Sequence, residues 1–312
     1  MSILVPNIMR VGVLGRGFMG RTHLKALAEI ADVEVVADTD IAKVIADPNV
    51  DAVDICLPTN LHAPVALEAL RAGKHVLVEK PMALDVAVSW QMIARAKKQK
   101  RVLMVAHVLR FFPTYVALGD ILSSGRIGSP RSAMFRRRCG APAWGAWLTD
   151  PEQSGGAVFD LLIHDMDLCL HLFGKPETVT AAGYEALADG VDIITAELHY
   201  GGGLTAVITG GWHHPKAYPF SMEYTVVAEK GTVEYSSLGR PPTLYRADGE
   251  VEMLAMTEQD GYRAEIEYFL DCCRRGENPS LCPPEESAEA VALALCILEA
   301  RKRNGQRIRC QL

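Results

Sequence analysis

One candidate for catalysis in this 312-residue sequence is a lysine at the end of an apolar run. Residues 76–78 have the pattern of a short buried strand, and they are followed by Glu79, Lys80 and Pro81. Two opposite charges are expensive at a buried strand end unless they have partners or a function there. Because Pro81 restricts Lys80 to extended geometry, the direction of the amine is fixed. Lys80 is therefore a candidate catalytic residue, and a surface lysine is the plain alternative.

The second group lies on a predicted helix over residues 154–174. Asp160, His164, Asp167 and His171 recur at spacings of four, three and four, which on a helix gives one polar stripe on an apolar surface. Three interpretations compete. We favour acid–base catalysis, in which Asp160 orients His164; a hydrogen-bonded structural set ranks second. A metal site ranks last, because no additional Cys/His cluster accompanies the stripe.

A glycine-rich turn near the start predicts a dinucleotide site. The segment GRGFMG, residues 15–20, follows an apolar run and precedes a helical pattern. Gly15 allows the tight turn, Gly17 allows a pyrophosphate to approach the backbone, and Gly20 allows close packing of helix and strand. The helix N-terminus then offers free N–H groups to the phosphates. A glycine-rich turn without a ligand is the alternative.

A carboxylate follows the next predicted strand at the position expected for ribose binding. Residues 33–37 are apolar and end at Asp38, which lies 18 residues after Gly20. A carboxylate there favours NAD over NADP, since it would repel the 2′-phosphate of NADP. Asp32 and Asp40 are close enough to be alternatives for this role.

The remaining pattern of the first part predicts a doubly wound, parallel α/β sheet. Strand-like residues 52–57, 75–79 and 102–107 alternate with helix-like residues 62–72 and 86–100. Ligands bind such sheets beyond the carboxyl ends of the strands, where LPTNLH, EKP and HVLR occur. The candidate cofactor-binding residues are Gly15, Gly17, Phe18, Met19, Gly20, Asp38, Leu57, Pro58, Thr59, His62, Glu79 and Lys80. The candidate substrate-binding residues are His107, Arg110 and Trp147, and ordinary packing is as plausible for Trp147 and for Trp144.

The pattern changes after about Phe111. From residue 177 onwards, short runs of alternating apolar and polar residues with turn residues between them indicate a mostly antiparallel sheet; they cover 179–184, 193–200, 204–212, 222–228, 231–235 and 243–246. Helical patterns follow at 262–275 and 285–303. We therefore predict a Rossmann-type domain over 1–112 and an α+β domain over 113–312, with a helix at about 284–304 packing back on the first domain.

Composition narrows the class of function. The formal net charge is −6 and the pI is near 5.9, so there is no electrostatic reason to expect nucleic acid or an anionic membrane as a partner. The cluster Arg136 to Arg138 is interpreted as a solvated surface. Eight scattered cysteines without a C-x-x-C pair or a signal peptide indicate reduced thiols in a cytoplasmic protein. No apolar run reaches the roughly 20 residues of a membrane span.

The motifs together resemble those of the Gfo/Idh/MocA oxidoreductase family. The resemblance rests on GRGFMG, on LPTNLHAPVALEALRAGKHVLVEKPMAL, on SGGAVFDLLIHDMDLCLHLFG and on YRAEIEYFLDCCRRGENP. It implies an NAD-binding Rossmann domain and an open-sheet domain for substrate binding and homo-oligomerisation, as a dimer or tetramer. It also implies oxidation of a sugar or polyol hydroxyl, or reduction of the ketone. Lys80, Asp160 and His164 match the family's catalytic residues.

Two other activities fit the resemblance. Some proteins of this fold cleave glycosides with transient use of NAD, and others bind dinucleotide as regulators without catalysis. The sequence also departs from the family in one segment. Only twelve residues separate Asp38 from Asp51, too few for the usual additional strand, since a parallel crossover needs a dozen or more residues by itself. The adenine side of the pocket is expected to be shortened and open.

Overall fold

The computed structural model describes residues 8–141 and 145–312, and the chain divides into two compact units. The first unit contains residues 8–111 and 259–288, and the second contains residues 112–141, 145–258 and 289–312. The strands, in chain order, are β1 (Met9–Leu14), β2 (Val33–Val36), β3 (Ala52–Ile55), β4 (His75–Glu79), β5 (Leu103–Ala106), β6 (Pro130–Gly140), β7 (Thr178–Ala186), β8 (Val191–His199), β9 (Thr205–His214), β10 (Ser221–Ala228), β11 (Gly231–Ser236), β12 (Arg240–Arg246), β13 (Val251–Met253) and β14 (Ile308–Arg309). The α-helices are α1 (Phe18–Leu27), α2 (Ile41–Ala46), α3 (His62–Arg71), α4 (Val86–Gln99), α5 (Pro113–Ser123), α6 (Pro151–Ser154), α7 (Ile163–Phe173), α8 (Gly261–Arg275) and α9 (Pro284–Lys302).

The first unit is built on a five-stranded parallel sheet in the order β2-β1-β3-β4-β5. Its strands β3, β4 and β5 are almost completely buried, which is what helices covering both faces of a parallel sheet require. The predicted doubly wound α/β fold is confirmed. Between β2 and β3 the chain forms only α2, whose N-cap Asp40 accepts the N–H of Lys43 at 3.2 Å. Residues 37–51 contain no strand, so β2 is the edge of the sheet.

The late helix α8 belongs to the core of the first unit. Its Ile266, Phe269 and Leu270 pack with Val11 and Met104 of the sheet. We expected one division of the chain near residue 112, with residues 262–275 in the second domain. The structure differs because the apolar face of α8 is buried against the parallel sheet, a long-range pairing that no local pattern indicates.

His75, the first residue of β4, is expected to make stability depend on pH. Its Nδ1 accepts the N–H of Val102 at 3.0 Å, and burial followed by the charge of Arg101 lowers the pKa of His75 to about 4. Between this value and the unfolded pKa of about 6.5, only the unfolded chain binds the proton. Stability is therefore lost as the pH falls through this window.

We expect this loss to be on the order of 1–2 kcal/mol, allowing for solvent screening of a partly exposed ring. The variant His75→Asn keeps an acceptor near Nδ1 but does not titrate, so its stability should fall less between about pH 6.5 and 4. Urea unfolding at several pH values measures both slopes, and equal slopes in the two proteins would contradict the assignment.

The second unit contains a nine-stranded sheet in the order β13-β12-β11-β10-β6-β9-β8-β7-β14. Only the β6–β9 pair is parallel, so the predicted open and mostly antiparallel sheet is confirmed. Aromatic side chains form much of the core on one face. The rings of Tyr115 and Tyr224 are 5.4 Å apart, and those of Phe135 and Phe173 are 6.3 Å apart. Within the described ranges, no helix is both long and apolar enough to cross a bilayer.

Candidate active site

The glycine turn of the first unit packs as a dinucleotide loop would. Gly15 has φ +107°, and a Cβ there would lie 2.3 Å from the carbonyl oxygen of Cys56. A Cβ at Gly20 would lie 2.1 Å from the carbonyl oxygen of Gly15, so both positions require glycine. A Cβ at Gly17, in contrast, would meet nothing within 4 Å. The protein itself therefore does not need glycine at position 17, and the open space suits a pyrophosphate approaching the backbone.

The residues after Gly17 open the first helix. α1 begins at Phe18, which is exposed, and Met19 is half-buried. Its N-cap residue is glycine, so no N-cap side chain occupies the space in front of the first N–H groups. This arrangement leaves the helix N-terminus available to an anion.

Asp38 is the best placed of the three candidate ribose carboxylates. Asp40 caps α2, and Asp32 occupies a turn with φ 58°, so both have local structural roles. Asp38 is exposed after β2, and the N–H of Asp40 donates to it at 2.9 Å. This bond lowers the pKa of Asp38, which keeps the carboxylate charged.

Replacing Asp38 is expected to change the preference between the two dinucleotides. In Asp38→Ser the acceptor for the ribose hydroxyls is weakened and the repulsion of a 2′-phosphate is removed. We expect kcat/KM for NAD to fall about tenfold and the ratio of NADP to NAD efficiency to rise. Steady-state kinetics with both dinucleotides measure this change. Glu34→Gln, an exposed change on β2, is the control, and an unchanged ratio in Asp38→Ser would remove Asp38 from the ribose site.

Two loops at the carboxyl ends of the sheet are joined by His62. The ring is buried, with Nδ1 2.8 Å from the carbonyl oxygen of Pro81 and Nε2 2.8 Å from that of Leu57. Burial lowers the pKa of His62, and a neutral ring donates to one of these oxygens at a time. His62 thereby holds the loop after β3 next to the loop after β4, which contains Lys80 and a cis Lys80–Pro81 bond. Thr59 is buried in the same region.

Glu79 points into the interior of the first unit. It is 6% exposed, and its Oε2 accepts the N–H of Lys80 at 3.1 Å. Burial would raise the pKa of Glu79, but contacts with His23 and the charge of Lys80 outweigh it and lower the pKa. Lys80 itself is half-buried. The strand end therefore presents a carboxylate inward and the lysine at the edge of the sheet where the glycine turn also lies.

The predicted substrate residues after β5 are buried. His107 is 1% exposed, and the guanidinium of Arg110 bonds to Glu286 at 2.6 Å and to the carbonyl oxygen of Leu281 at 3.0 Å. These bonds connect the turn after β5 with residues 281–286 of the same unit. The arrangement supports a structural role for Arg110, and a substrate contact by either residue stays a prediction.

The candidate catalytic pair of the second unit lies on a helix that contains a π-helical turn. The helix predicted within residues 154–174 is present from residue 156 to residue 173, and Gly155 and Gly156, with φ values of +73° and +77°, separate it from α6. The chain then forms a π-helical turn, Val158–Leu162, before α7. Asp160 lies in the π-helical turn and His164 in the first turn of α7. Such turns widen the helix and are frequent at functional sites.

The exposure of the predicted polar stripe changes along its length. Asp160 and His164 are half-buried, whereas Asp167 is fully buried and His171 is exposed. The π-helical turn changes the angular spacing between Asp160 and His164, whereas His164, Asp167 and His171 follow the regular period of α7. Burial, and then the charge of Asp160, raise the pKa of Cys139 to about 12, which places Asp160 near β6. Only Asp160 and His164 keep the partial exposure that a catalytic pair needs.

A buried ion pair next to His164 was not predicted. The guanidinium of Arg137 on β6 donates to both carboxylate oxygens of Asp165, each at 2.9 Å, and the two side chains are 3% and 1% exposed. The interpretation of residues 136–138 as a solvated cluster is therefore wrong for Arg137. Neighbouring residues of a strand point to opposite faces, and Arg136 and Arg138 pair with Glu223 on the other face. The pair attaches α7 to the sheet one residue after His164.

From the sequence, Trp144 and Trp147 are considered as residues that stack on a sugar ring. Trp147 is half-buried and packs against the cluster of Leu148, Leu161 and Trp212, so packing explains part of its surface. Trp144 lies outside the described residues. At the end of β9 the ring centroids of His213 and His214 are 4.0 Å apart. The sequence predicts no function for these two histidines. A substrate contact by Trp147 stays a prediction.

Comparisons with known proteins agree with this arrangement. A family model described as an oxidoreductase family with an NAD-binding Rossmann fold matches residues 25–107, and one described as the GFO/IDH/MocA C-terminal domain matches residues 115–234. The chain is 33% identical to UDP-N-acetylglucosamine 3-dehydrogenase of Acidithiobacillus ferrooxidans, over 92% of this chain and 95% of that protein. It is 27% identical to myo-inositol 2-dehydrogenase of Thermotoga maritima, over 95% and 96% of the two chains.

Solved structures share the fold along nearly the whole chain. A putative myo-inositol dehydrogenase from Sinorhizobium meliloti 1021 superposes with a TM-score of 0.81 at 26% identity, covering 97% of this chain and all of that chain (100%). A levoglucosan dehydrogenase solved with NADH and levoglucosan has a TM-score of 0.85 at 19% identity, with coverage of 97% and 100%. At that identity the second similarity describes the fold alone.

Proposed function

Because this chain belongs to the GFO/IDH/MocA family of oxidoreductases, we propose that it transfers hydride between NAD and a hydroxyl or ketone carbon of a sugar, cyclitol or sugar derivative. One observation in the first unit carries the proposal. The glycine turn, open at Gly17, and Lys80 lie at the carboxyl ends of strands of one parallel sheet. That edge is where α/β sheets bind their ligands.

The residues of the first unit fit the cofactor. The backbone at Gly17 and the N-terminus of α1 would hold the pyrophosphate, and Asp38 would accept hydrogen bonds from the adenosine ribose. NAD, when bound, accepts or returns the hydride at its nicotinamide ring. The chain's own contribution is to bind the dinucleotide, to orient it and to handle the proton of the substrate hydroxyl.

The roles of the ionisable residues follow from their chemistry. The imidazole of His164 takes the proton from the substrate hydroxyl in the oxidative direction, and Asp160 orients that ring. The ammonium of Lys80 stabilises the negative charge that develops on the substrate oxygen. In the reductive direction His164 returns the proton.

The substrate class is inferred from the relatives. The names of three of them refer to an inositol, to a nucleotide sugar and to 1,5-anhydro-D-fructose. These compounds share a polyhydroxylated ring. We therefore propose such a ring, free or attached to a nucleotide, as the substrate of this chain.

A substrate screen tests the reaction. Inositols, aldoses, nucleotide sugars and aryl glycosides are incubated with NAD, and NADH and released aglycone are measured in the same samples. We expect NADH to accumulate with at least one polyhydroxylated ring. Aglycone release without net NADH would instead indicate glycoside cleavage, and NAD binding without either product would indicate a regulator; both outcomes overturn the proposal.

We also propose that the open face of the nine-stranded sheet joins copies of this chain. Residue pairing places Met134, Val227, Tyr245, Val251 and Met253 on one face, through the pairs of β6, β10, β11, β12 and β13. Each of these side chains is at least 40% exposed, and exposed apolar side chains that share one face are a feature of interfaces.

The assembly is tested by light scattering after size-exclusion chromatography. We expect a dimer or tetramer for the wild type and a smaller species for Val227→Glu, because a charge would be buried at the interface. The exposed change Glu68→Lys on α3 is the control and should leave the mass unchanged. A monomeric wild type at micromolar concentration would refute the proposal.

A further inference from the structure

A buried histidine of the first unit lies between two carboxylates. His23 of α1 is 0% exposed, with Nδ1 2.8 Å from Oδ2 of Asp54 on β3 and Nε2 3.2 Å from Oε1 of Glu79 on β4. The side chains of Asp54 and Glu79 are 2% and 8% exposed. None of the roles proposed above uses His23 or Asp54. This cluster therefore needs its own explanation.

Protonation of the His23 ring lowers the net negative charge of the cluster, because the imidazolium offsets one of the two carboxylates. Two carboxylates buried around one neutral ring would be costly, whereas an imidazolium forms a hydrogen bond to Asp54 through Nδ1 and an ion pair with Glu79 through Nε2. Burial lowers the pKa of His23, but the charge of Asp54 and the hydrogen bond to it outweigh burial and raise the pKa well above its ordinary value. The other ionisable groups around the cluster include Lys80 after β4, His62 of α3, and Asp260, Tyr262 and Glu265 at and within α8.

A metal ion explains the cluster less well. Ligand atoms of His23, Asp54 and Cys56 lie within 4.8 Å of one another. However, the 2.8 Å separation of Nδ1 and Oδ2 is that of a direct hydrogen bond, and it is shorter than the spacing of ligand atoms around a tetrahedral ion. Burial also raises the pKa of Cys56, which keeps it a thiol. Its Sγ donates to Oδ1 of Asp54 at 3.5 Å.

The cluster connects the dinucleotide helix with Lys80. α1 starts at the glycine turn, and His23 lies a little more than one turn later on its buried face. Glu79 contacts His23 through one oxygen and accepts the N–H of Lys80 through the other. A shift of His23 would therefore be transmitted to the backbone that carries Lys80. Positions of catalytic groups are sensitive to such shifts, since a misplacement of about 1 Å can cost about 100-fold in rate.

We propose that His23 is a positioning residue, which as an imidazolium bridges Asp54 and Glu79 and holds Lys80 in place relative to the dinucleotide turn. The inference rests on the proposed function, because it assigns Lys80 a role in the reaction. His23 itself touches neither substrate nor cofactor in this role.

The kinetic test is a double-mutant cycle with Lys80. The variant His23→Gln loses the charge and keeps only one donor group, so we expect kcat to fall about 10- to 100-fold and the Kd for NADH to change less than about threefold. In the background of Lys80→Met, the same substitution should lower kcat by less than about twofold, because there is no amine left to position. Lys25→Gln, exposed on α1, is the control and should leave kcat unchanged.

Two further experiments test the role of His23 if His23→Gln does not fold or if no substrate is found: the variant Asp54→Asn and an NMR titration of His23. Asp54→Asn keeps the side-chain shape and should cause a smaller fall in kcat. Its effect should likewise be non-additive with that of Lys80→Met. This variant replaces His23→Gln in the test if His23→Gln does not fold. In ¹⁵N-histidine NMR, both ring nitrogens of His23 should remain protonated above the ordinary histidine pKa of about 6.5. The Asp54→Asn change should lower that pKa.

The possible outcomes separate the two proposals. Multiplicative effects of His23→Gln and Lys80→Met, or an unchanged kcat in His23→Gln, would overturn the positioning role. A His23 ring that loses a proton near its ordinary pKa would also overturn it. Absence of turnover with every polyol would defeat the proposed function instead, while the NMR titration would still decide the protonation of His23.

Discussion

Replacing His164 with asparagine is expected to lower kcat by about 10²- to 10⁴-fold, the range over which general acid–base groups contribute to catalysis. Asparagine keeps a polar side chain of similar reach but cannot take a proton from the substrate hydroxyl. Because His164 is not among the residues assigned to the dinucleotide, the Kd for NADH should stay within about twofold. Stopped-flow and steady-state measurements of NADH formation give the rate, and fluorescence titration gives the affinity.

The same helix offers a matched control for this experiment. His171 lies two turns further along α7 and is exposed, so His171→Asn should leave kcat unchanged. Asp160→Asn should lower kcat as well, and combining it with His164→Asn should add little, since the two act as a unit. An enzyme with His164→Asn that keeps more than about half of its kcat would remove His164 from proton transfer.

The second large effect concerns stability. Arg137→Met is expected to lower the free energy of unfolding by about 3–5 kcal/mol, because the charge of Asp165 would remain buried without its partner. Both side chains are almost fully inaccessible, and two hydrogen bonds are lost at once. Urea unfolding of the two proteins, followed by circular dichroism, measures the difference.

The double variant distinguishes loss of a partner from loss of packing. In Arg137→Met/Asp165→Leu both charges are absent, so much of the lost stability should return. Arg131→Met on the same strand removes an exposed ion pair with Glu229 and should change stability by less than about 1 kcal/mol. A change of less than about 1 kcal/mol in the single variant Arg137→Met would show that the buried pair is not an important source of stability.

The sequence alone determined the family, the parallel sheet of the first unit and the antiparallel sheet of the second. These features follow from local signals: glycine spacing in residues 15–20, the alternation of strand-like and helix-like runs, and short apolar strands separated by turns. Such signals depend on neighbours a few residues apart, so each can be recognised without knowing the rest of the fold. The motifs around Lys80 and around Asp160 and His164 are local signals of the same kind.

Tertiary structure alone decided which distant side chains meet. The Arg137–Asp165 pair joins residues 28 positions apart, and His23 of α1 contacts Asp54 of β3 and Glu79 of β4. The π-helical turn at residues 158–162 and the packing of α8 in the first unit were also missing from the sequence pattern. In each case the stabilising energy comes from burial against elements far away in the chain, and a periodicity of side chains along one element does not encode its partner.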